Sequence, residues 1–89
     1  MMAQSTVLIV NKAGLHARAS TRFVQTANKF RSNVMVRKDG QDVNGKSIMG
    51  VLLLVAGKGS QITISCDGDD AKECLLALTD LVKAGFGEE

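Results

Sequence analysis

Residues Gln61 to Cys66 alternate between polar and apolar side chains at every position, so that Ile62, Ile64 and Cys66 point the same way. A strand with this period of two has one face in a hydrophobic core and the other in water. The chain has 89 residues, enough for one core but not for two, so we expect a single domain over residues 1–89. Helices should cover one face of its sheet and leave the other open.

Three other segments have the composition or the alternation of strands. Thr6 to Val10 is rich in β-forming residues, and Asn33 to Lys38 alternates between polar and apolar positions. Asp39 and Gly40 then form a strong hairpin turn signal, after which we expect a short strand around Asp42 to Asn44. The sequence therefore predicts four strands, two of them joined as a hairpin.

Helical spacing marks three more segments. The first runs from His16 to about Asn28, and one of its faces carries Ser20, Phe23, Ala27 and Phe30. A second, short helix should begin near Ser47, and a third should be capped by Asp69 and stop at Gly85. The apolar stripe of the third helix consists of Ala71, Cys74, Leu75, Leu78, Leu81 and Val82. The order β-α-β-β-α-β-α predicts an α+β open-faced β-sandwich, with a four-stranded antiparallel sheet and three helices on one face.

Composition and apolar patterning exclude several classes of protein. The longest apolar run, Ile48 to Ala56, is far shorter than the roughly 20 residues that span a bilayer, and the amino terminus lacks an export signal. We therefore expect a cytoplasmic protein without membrane insertion. Cys66 and Cys74 fall at core-facing positions, which favours buried thiols over a disulfide or a metal pair. With His16 as the only histidine, we expect neither a metal cluster nor a cofactor.

Charge is distributed unevenly along the chain. Residues 1–46 carry eight basic and two acidic side chains, whereas residues 47–89 carry three basic and seven acidic ones. This split indicates an anionic ligand or partner near the first half of the chain. A solvated surface of uneven charge explains the split equally well.

His16 follows Gly14 and Leu15 at the start of the first predicted helix, where backbone N–H groups lack helical partners. These groups and the positive end of the helix dipole attract anions such as phosphate, and Arg18 adds a guanidinium nearby. The same field favours a neutral, nucleophilic imidazole. The sequence therefore indicates a phosphoryl-binding histidine, and a histidine that only caps or packs the helix is the alternative.

Two motifs resemble those of a known family. Asn11 to Ser20, with the sequence Asn-Lys-Ala-Gly-Leu-His-Ala-Arg-Ala-Ser, resembles the active-site segment of HPr, the histidine-containing phosphocarrier of the bacterial phosphoenolpyruvate-dependent phosphotransferase system. Val43 to Leu52 is similar to the second signature of the family, around its regulatory serine. The family usually has proline where this chain has Ala19. Because alanine is the best helix former, this change keeps the helix start intact.

The resemblance implies a phosphoryl carrier and not an enzyme. His16 would take a phosphoryl group on Nδ1 from phospho-Enzyme I, with Arg18 assisting, and pass it to sugar-specific IIA domains or proteins. Ser47 would be a regulatory phosphorylation site for an HPr kinase/phosphorylase. The docking surface of the family, which suits a monomer that binds its partners transiently, maps onto Ala17, Thr21, Ile48, Met49 and Leu52. The resemblance leaves open whether the chain serves sugar uptake or the nitrogen-related regulatory branch.

Two functions of other classes also have some support. Gly40 to Ser47 satisfies the P-loop pattern of nucleotide-binding proteins, and Asp67 resembles the acidic residue that accompanies it. Against this, Asp42 to Asn44 is expected to be a strand, and the chain is short for a parallel nucleotide-binding sheet. An RNA-binding sheet would need exposed aromatic residues, and the chain has three Phe and neither Tyr nor Trp. We therefore expect no nucleic-acid partner.

Overall fold

The computed structural model describes residues 1–88, which form one four-stranded sheet and three helices. The strands are β1 (Met2–Leu8), β2 (Asn33–Lys38), β3 (Gln41–Asn44) and β4 (Gln61–Asp67). They lie in the order β1-β4-β2-β3, and every neighbouring pair is antiparallel. The helices are α1 (Ala17–Ala27), α2 (Ile48–Leu53) and α3 (Ala71–Lys83), and a 3-10 turn follows at Gly85–Gly87. The predicted fold class and element order are confirmed.

One face of the sheet is apolar because the alternating side chains of its strands are in register. In the pairing of β2 with β4, Val34 lies opposite Cys66 and Val36 lies opposite Ile64, and none of the four is more than 2% exposed. The opposite face carries polar and charged side chains, among them Gln4, Arg37, Thr63 and Ser65. The helices therefore pack only on the apolar face of the sheet.

The helices bury the faces that their spacing predicts. On α1 the buried residues are Ala19, Ser20, Phe23, Val24 and Ala27, and Phe30 packs, partly buried, just after the helix. On α3 they are Ala71, Cys74, Leu78, Thr79 and Val82, with Leu75 and Leu81 partly buried beside them. Since α3 packs on β1 and β4 and α1 packs on both other helices, the three helices share one core.

Two predicted boundaries are wrong. The first strand runs from Met2 to Leu8 and not from Thr6 to Val10, because its pairing with β4 starts at Met2 opposite Asp67. Only Val7 is buried in this strand, so its hydrophobic pattern does not reveal where it begins. Ile9 lies beyond the end of β1. Its N–H donates to the Ser60 carbonyl, and its own carbonyl accepts the Gly59 N–H, both in the turn before β4.

The N-cap of α3 is Asp70, whereas the sequence pointed to Asp69. The Asp70 carboxylate does not cap its own helix. It accepts hydrogen bonds from the backbone N–H groups of Arg31 and Ser32 at 2.8 and 2.9 Å, and from the Ser32 hydroxyl at 2.5 Å. These bonds tie the loop before β2 to the start of α3, and they hold the pKa of Asp70 below its usual range.

The two cysteines are free and buried, as their positions predict. Burial raises the pKa of the Cys66 thiol to about 12, and the neighbouring Cys74 adds to the effect. Within residues 1–88, His, Cys, Asp and Glu side chains form no group that could hold a metal ion. No helix in this part of the chain has the length and apolar character required to cross a bilayer.

We predict that Asp70→Asn lowers the melting temperature by several degrees at neutral pH, because an amide cannot accept all three hydrogen bonds. Folding lowers the pKa of Asp70 below its unfolded value of about 3.9, so its stabilisation is complete above that pH and is lost as the pH falls through the folded value. Thermal unfolding of both proteins between pH 7 and pH 2 should show the difference shrinking in acid. The exposed neighbour gives a matched control, Asp69→Asn, which should leave the melting temperature unchanged. A constant difference at all pH values would contradict this role of Asp70.

Candidate functional site

His16 is the N-cap of α1, in the position that its place in the sequence predicts. Its backbone is extended, and its Nδ1 accepts the backbone N–H of Arg18 at 3.2 Å. The imidazole therefore does what a serine or aspartate does at other helix starts, since it satisfies one N–H group that the helix leaves unpaired. Its side chain is 32% exposed, so the ring remains accessible from outside.

The loop before His16 is held against the loop that follows α2. The Leu15 N–H donates to the carbonyl of Ala56 at 2.8 Å. Gly14 has φ +65°, and a Cβ atom there would lie only 2.4 Å from the same carbonyl oxygen. Only glycine fits this close approach, and it brings His16 next to the carboxyl end of α2.

The second ring nitrogen of His16 contacts a carboxylate from the far end of the chain. Nε2 lies 2.7 Å from Oε2 and 3.0 Å from Oε1 of Glu88. A backbone N–H can only donate, so Nδ1 must carry a lone pair, and a carboxylate can only accept, so Nε2 must carry the proton. The contacts on both sides of the ring thus select one neutral tautomer, with the lone pair on Nδ1.

Asn11 also contacts the Glu88 carboxylate. It is 2% exposed, and its Nδ2 donates to Oε1 of Glu88 at 3.0 Å and to the carbonyl of Gly14 at 2.9 Å. Its Oδ1 is buried and has no partner within residues 1–88. The hydrogen bonds from His16 and then Asn11 keep the pKa of Glu88 below its usual range, so the carboxylate remains charged beside the ring.

Arg18 presents its side chain to solvent, and its backbone N–H, not its guanidinium, contacts His16. Within residues 1–88 the guanidinium makes no hydrogen bond, and its positive charge is one of the causes that lower the pKa of Glu88. Ala17 is exposed beside it, and the half-buried Thr21 donates its hydroxyl to the Ala17 carbonyl at 2.8 Å. The predicted residues of α1 therefore lie on one accessible surface.

A shallow apolar cleft of about 290 Å³ adjoins the imidazole. It is lined by Ala13, Leu15, His16, Leu52, Val55, Ala56 and Gly57. Of the predicted docking residues on α2, Leu52 lies in this cleft. Ile48 and Met49 precede Leu52 by four and three residues, which places them on the same side of the helix, and they are 39% and 74% exposed.

Ser47 is the N-cap of α2, and its hydroxyl accepts the backbone N–H of Gly50 at 3.1 Å. The side chain is half-buried at the start of the helix that carries Ile48, Met49 and Leu52. Ser47 is therefore close to the apolar part of the surface around His16, while its role as a cap is purely structural.

The backbone does not form a P-loop at Gly40 to Ser47. Gly40 is in the hairpin turn, and Gln41–Asn44 pairs with β2 as a strand, so the N–H groups of this segment cannot surround a phosphate.

Within residues 1–88, the open face of the sheet carries no aromatic residue that could stack on a base. Phe23 and Phe86 are fully buried, and Phe30 packs against the core.

Sequence reasoning missed Glu88 and gave Asn11 no role of its own. The only signal at Asn11 is its spacing to Gly14, which is typical of a side chain that closes a turn. No local signal identifies Glu88, because its partner His16 is 72 residues away in the sequence.

Known proteins match this chain over nearly its whole length. A family model described as the PTS HPr component phosphorylation site matches residues 3–84. The phosphocarrier protein HPr of Neisseria meningitidis serogroup A is 52% identical over 87 residues, which cover 98% of each chain. The phosphocarrier protein HPr of Cupriavidus necator is 47% identical, again with 98% of each chain covered.

Solved structures give the same result. HPr-C-His from Thermoanaerobacter tengcongensis has a TM-score of 0.94 and 48% identity, with 98% of both chains covered. A phosphocarrier protein HPr from Bacillus anthracis has a TM-score of 0.88 and 48% identity, with 91% of this chain and 96% of that one covered. Because a family model and relatives far above 30% identity match nearly the whole sequence, the chain belongs to the HPr family of phosphocarrier proteins of the phosphotransferase system.

Proposed function

We propose that His16 accepts a phosphoryl group on Nδ1 from phospho-Enzyme I and donates it to sugar-specific IIA domains or proteins. The observation that carries the proposal is the placement of the unprotonated Nδ1 at the N-terminus of α1, 3.2 Å from the Arg18 N–H. A nucleophile and a group of anion-binding amides there share one location. The nitrogen-related regulatory branch is the alternative, and it differs in the partners served.

The transfer needs little beyond position and charge. The Nδ1 lone pair forms a bond to phosphorus as the bond between phosphorus and the donor breaks, and the group leaves by the reverse step. Negative charge spreads over the phosphoryl oxygens, where the first N–H groups of α1 and the guanidinium of Arg18 can neutralise it. Because the ring is partly exposed and not enclosed, the partner must supply the rest of the site.

Docking is assigned to the accessible surface around the ring. Ala17 and Thr21 contribute from α1, and Ile48, Met49 and Leu52 contribute an apolar area from α2. Exposed apolar side chains grouped beside a reactive residue are typical of a transient protein interface. The same proposal includes a cytoplasmic location, since the chain would exchange phosphoryl groups with Enzyme I and IIA proteins there.

Ser47 is proposed as a regulatory phosphorylation site, for which a kinase of the HPr kinase/phosphorylase type would be the partner. A phosphate there would add about −1.5 to −2 charges at the N-terminus of a helix, where the fold tolerates it. The cost would appear on docking, because Ile48 and Met49 follow immediately and a partner would have to bury the charge beside them.

Incubation with Enzyme I and phosphoenolpyruvate should add one acid-labile, alkali-stable phosphoryl group, and His16→Ala should abolish it. His16→Asn is the matched variant, because asparagine also caps a helix but carries no nucleophilic ring. Intact mass measures the group, and circular dichroism checks the fold. If His16→Ala or His16→Asn still gained the group, His16 would not be the acceptor.

Replacement of Arg18 by Ala should slow acceptance and donation by roughly three- to ten-fold without a change in melting temperature, because an exposed, charge-assisted contact with phosphoryl oxygens is lost. Arg18→Lys should recover part of the rate, since it keeps the charge but not the planar fork. Quench-flow transfer rates in both directions measure the effect. Equal rates for all three proteins would mean that the helix amides suffice.

Ser47→Asp should reduce transfer from Enzyme I and leave the melting temperature unchanged or slightly higher, because aspartate is a good N-cap. Ser47→Asn is the control for size, since asparagine also caps a helix and carries no charge, and its rate should be close to wild type. Initial rates and thermal unfolding give both quantities. A wild-type rate for Ser47→Asp, or an unfolded protein, would remove the basis for this regulatory role.

A further inference from the structure

Residues 85–88 are fixed to the body of the protein. Phe86 is fully buried although its backbone has φ 58°, a conformation that costs energy for a residue with a Cβ atom. Gly85 and Gly87 flank it with φ 64° and 75°, which glycine adopts without strain. Arg22 of α1 donates a hydrogen bond to the Phe86 carbonyl. Burial and this bond hold residues 85–88 against α1.

The turn at Gly85–Gly87 positions the Glu88 carboxylate beside His16 and Asn11. Its side chain is only 16% exposed, which is low for a carboxylate. Three short contacts replace water around it, two from its oxygens to His16 Nε2 and one from Asn11 Nδ2. Asn11 also donates to the Gly14 carbonyl, so the loop before α1 is bonded both to itself and to the Glu88 carboxylate.

We infer that Glu88 is a positioning residue for phosphoryl transfer, and that residues 85–88 form a strap that holds the Glu88 carboxylate against the imidazole of His16. This inference rests on the proposed function of His16. The carboxylate keeps the proton on Nε2 and fixes the rotation of the ring, so that the Nδ1 lone pair faces the N-terminus of α1. Without it, the exposed ring could rotate away from the helix amides.

The contact also suits the chemistry of the step. As Nδ1 bonds to phosphorus, positive charge develops on the ring, and the carboxylate on the opposite edge stabilises that charge. The Nε2 proton stays in its hydrogen bond with Glu88 throughout, so no proton has to leave. Because Nδ1 and Nε2 lie on opposite edges of the imidazole, the strap need not open for a phosphoryl group to enter.

The contact has a direct spectroscopic signature. An imidazole N–H bonded to a carboxylate gives a downfield proton signal that exchanges with solvent more slowly than that of an unbonded ring, and the intact protein should display this signal for His16 Nε2. Glu88→Ala should lose this signal to exchange with solvent. Glu88→Gln keeps a carbonyl acceptor and should retain a weaker, less shifted signal. If Glu88→Ala keeps the signal, or the wild type never shows it, the inferred contact does not exist in solution.

The second arm measures transfer from Enzyme I with the same proteins. Glu88→Ala should slow acceptance by roughly three- to ten-fold, and Glu88→Gln should fall between that variant and the wild type. Asp80→Ala removes an exposed carboxylate of α3 and should transfer at the wild-type rate. Equal rates for Glu88→Ala and wild type would overturn the positioning role. If the wild type itself takes no phosphoryl group, the proposed function fails, and the proton signal separately decides whether Glu88 holds the ring.

Discussion

One-sided burial of the sheet controls where everything else in this chain can lie. Val34, Val36, Ile64 and Cys66 form a single apolar surface, and the opposite face is mainly polar, so all three helices pack on the same side. A layer of helices over a sheet leaves no room for an enclosed site in a chain of 89 residues. A reactive group therefore has to lie at the surface, and the N-terminus of α1 places His16 there.

The imidazole of His16 lies between two groups of opposite electrical character. The start of α1 contributes N–H groups and the positive end of a dipole at Nδ1, and Glu88 contributes a negative carboxylate at Nε2. Together they orient its proton and leave the nitrogen that faces the amides unprotonated, which an anion acceptor at a helix start requires.

Most of the fold could be predicted from local periodicity, because β2, β4, α1 and α3 each bury a stripe that repeats every two or about 3.6 residues. The predictions were wrong where that signal is weak. In β1 only Val7 is buried, and Asp69 and Asp70 are indistinguishable as caps until their loop partners are known. At the site, the helix start makes His16 a candidate, and the resemblance to the family supports that prediction. The sequence cannot identify Glu88, whose position depends on the burial of Phe86 and the path of residues 85–88.

The capping nitrogen of α1 has a thermodynamic consequence. Since Nδ1 satisfies the Arg18 N–H, any group that bonds covalently to Nδ1 must displace that contact and take over the capping of the helix. Phosphoryl oxygens can accept the same N–H, so one acceptor would replace another at an unchanged backbone. Occupancy of Nδ1 and the stability of the first turn of α1 are then linked quantities, and local unfolding at this helix end would depend on whether the carrier is loaded or empty.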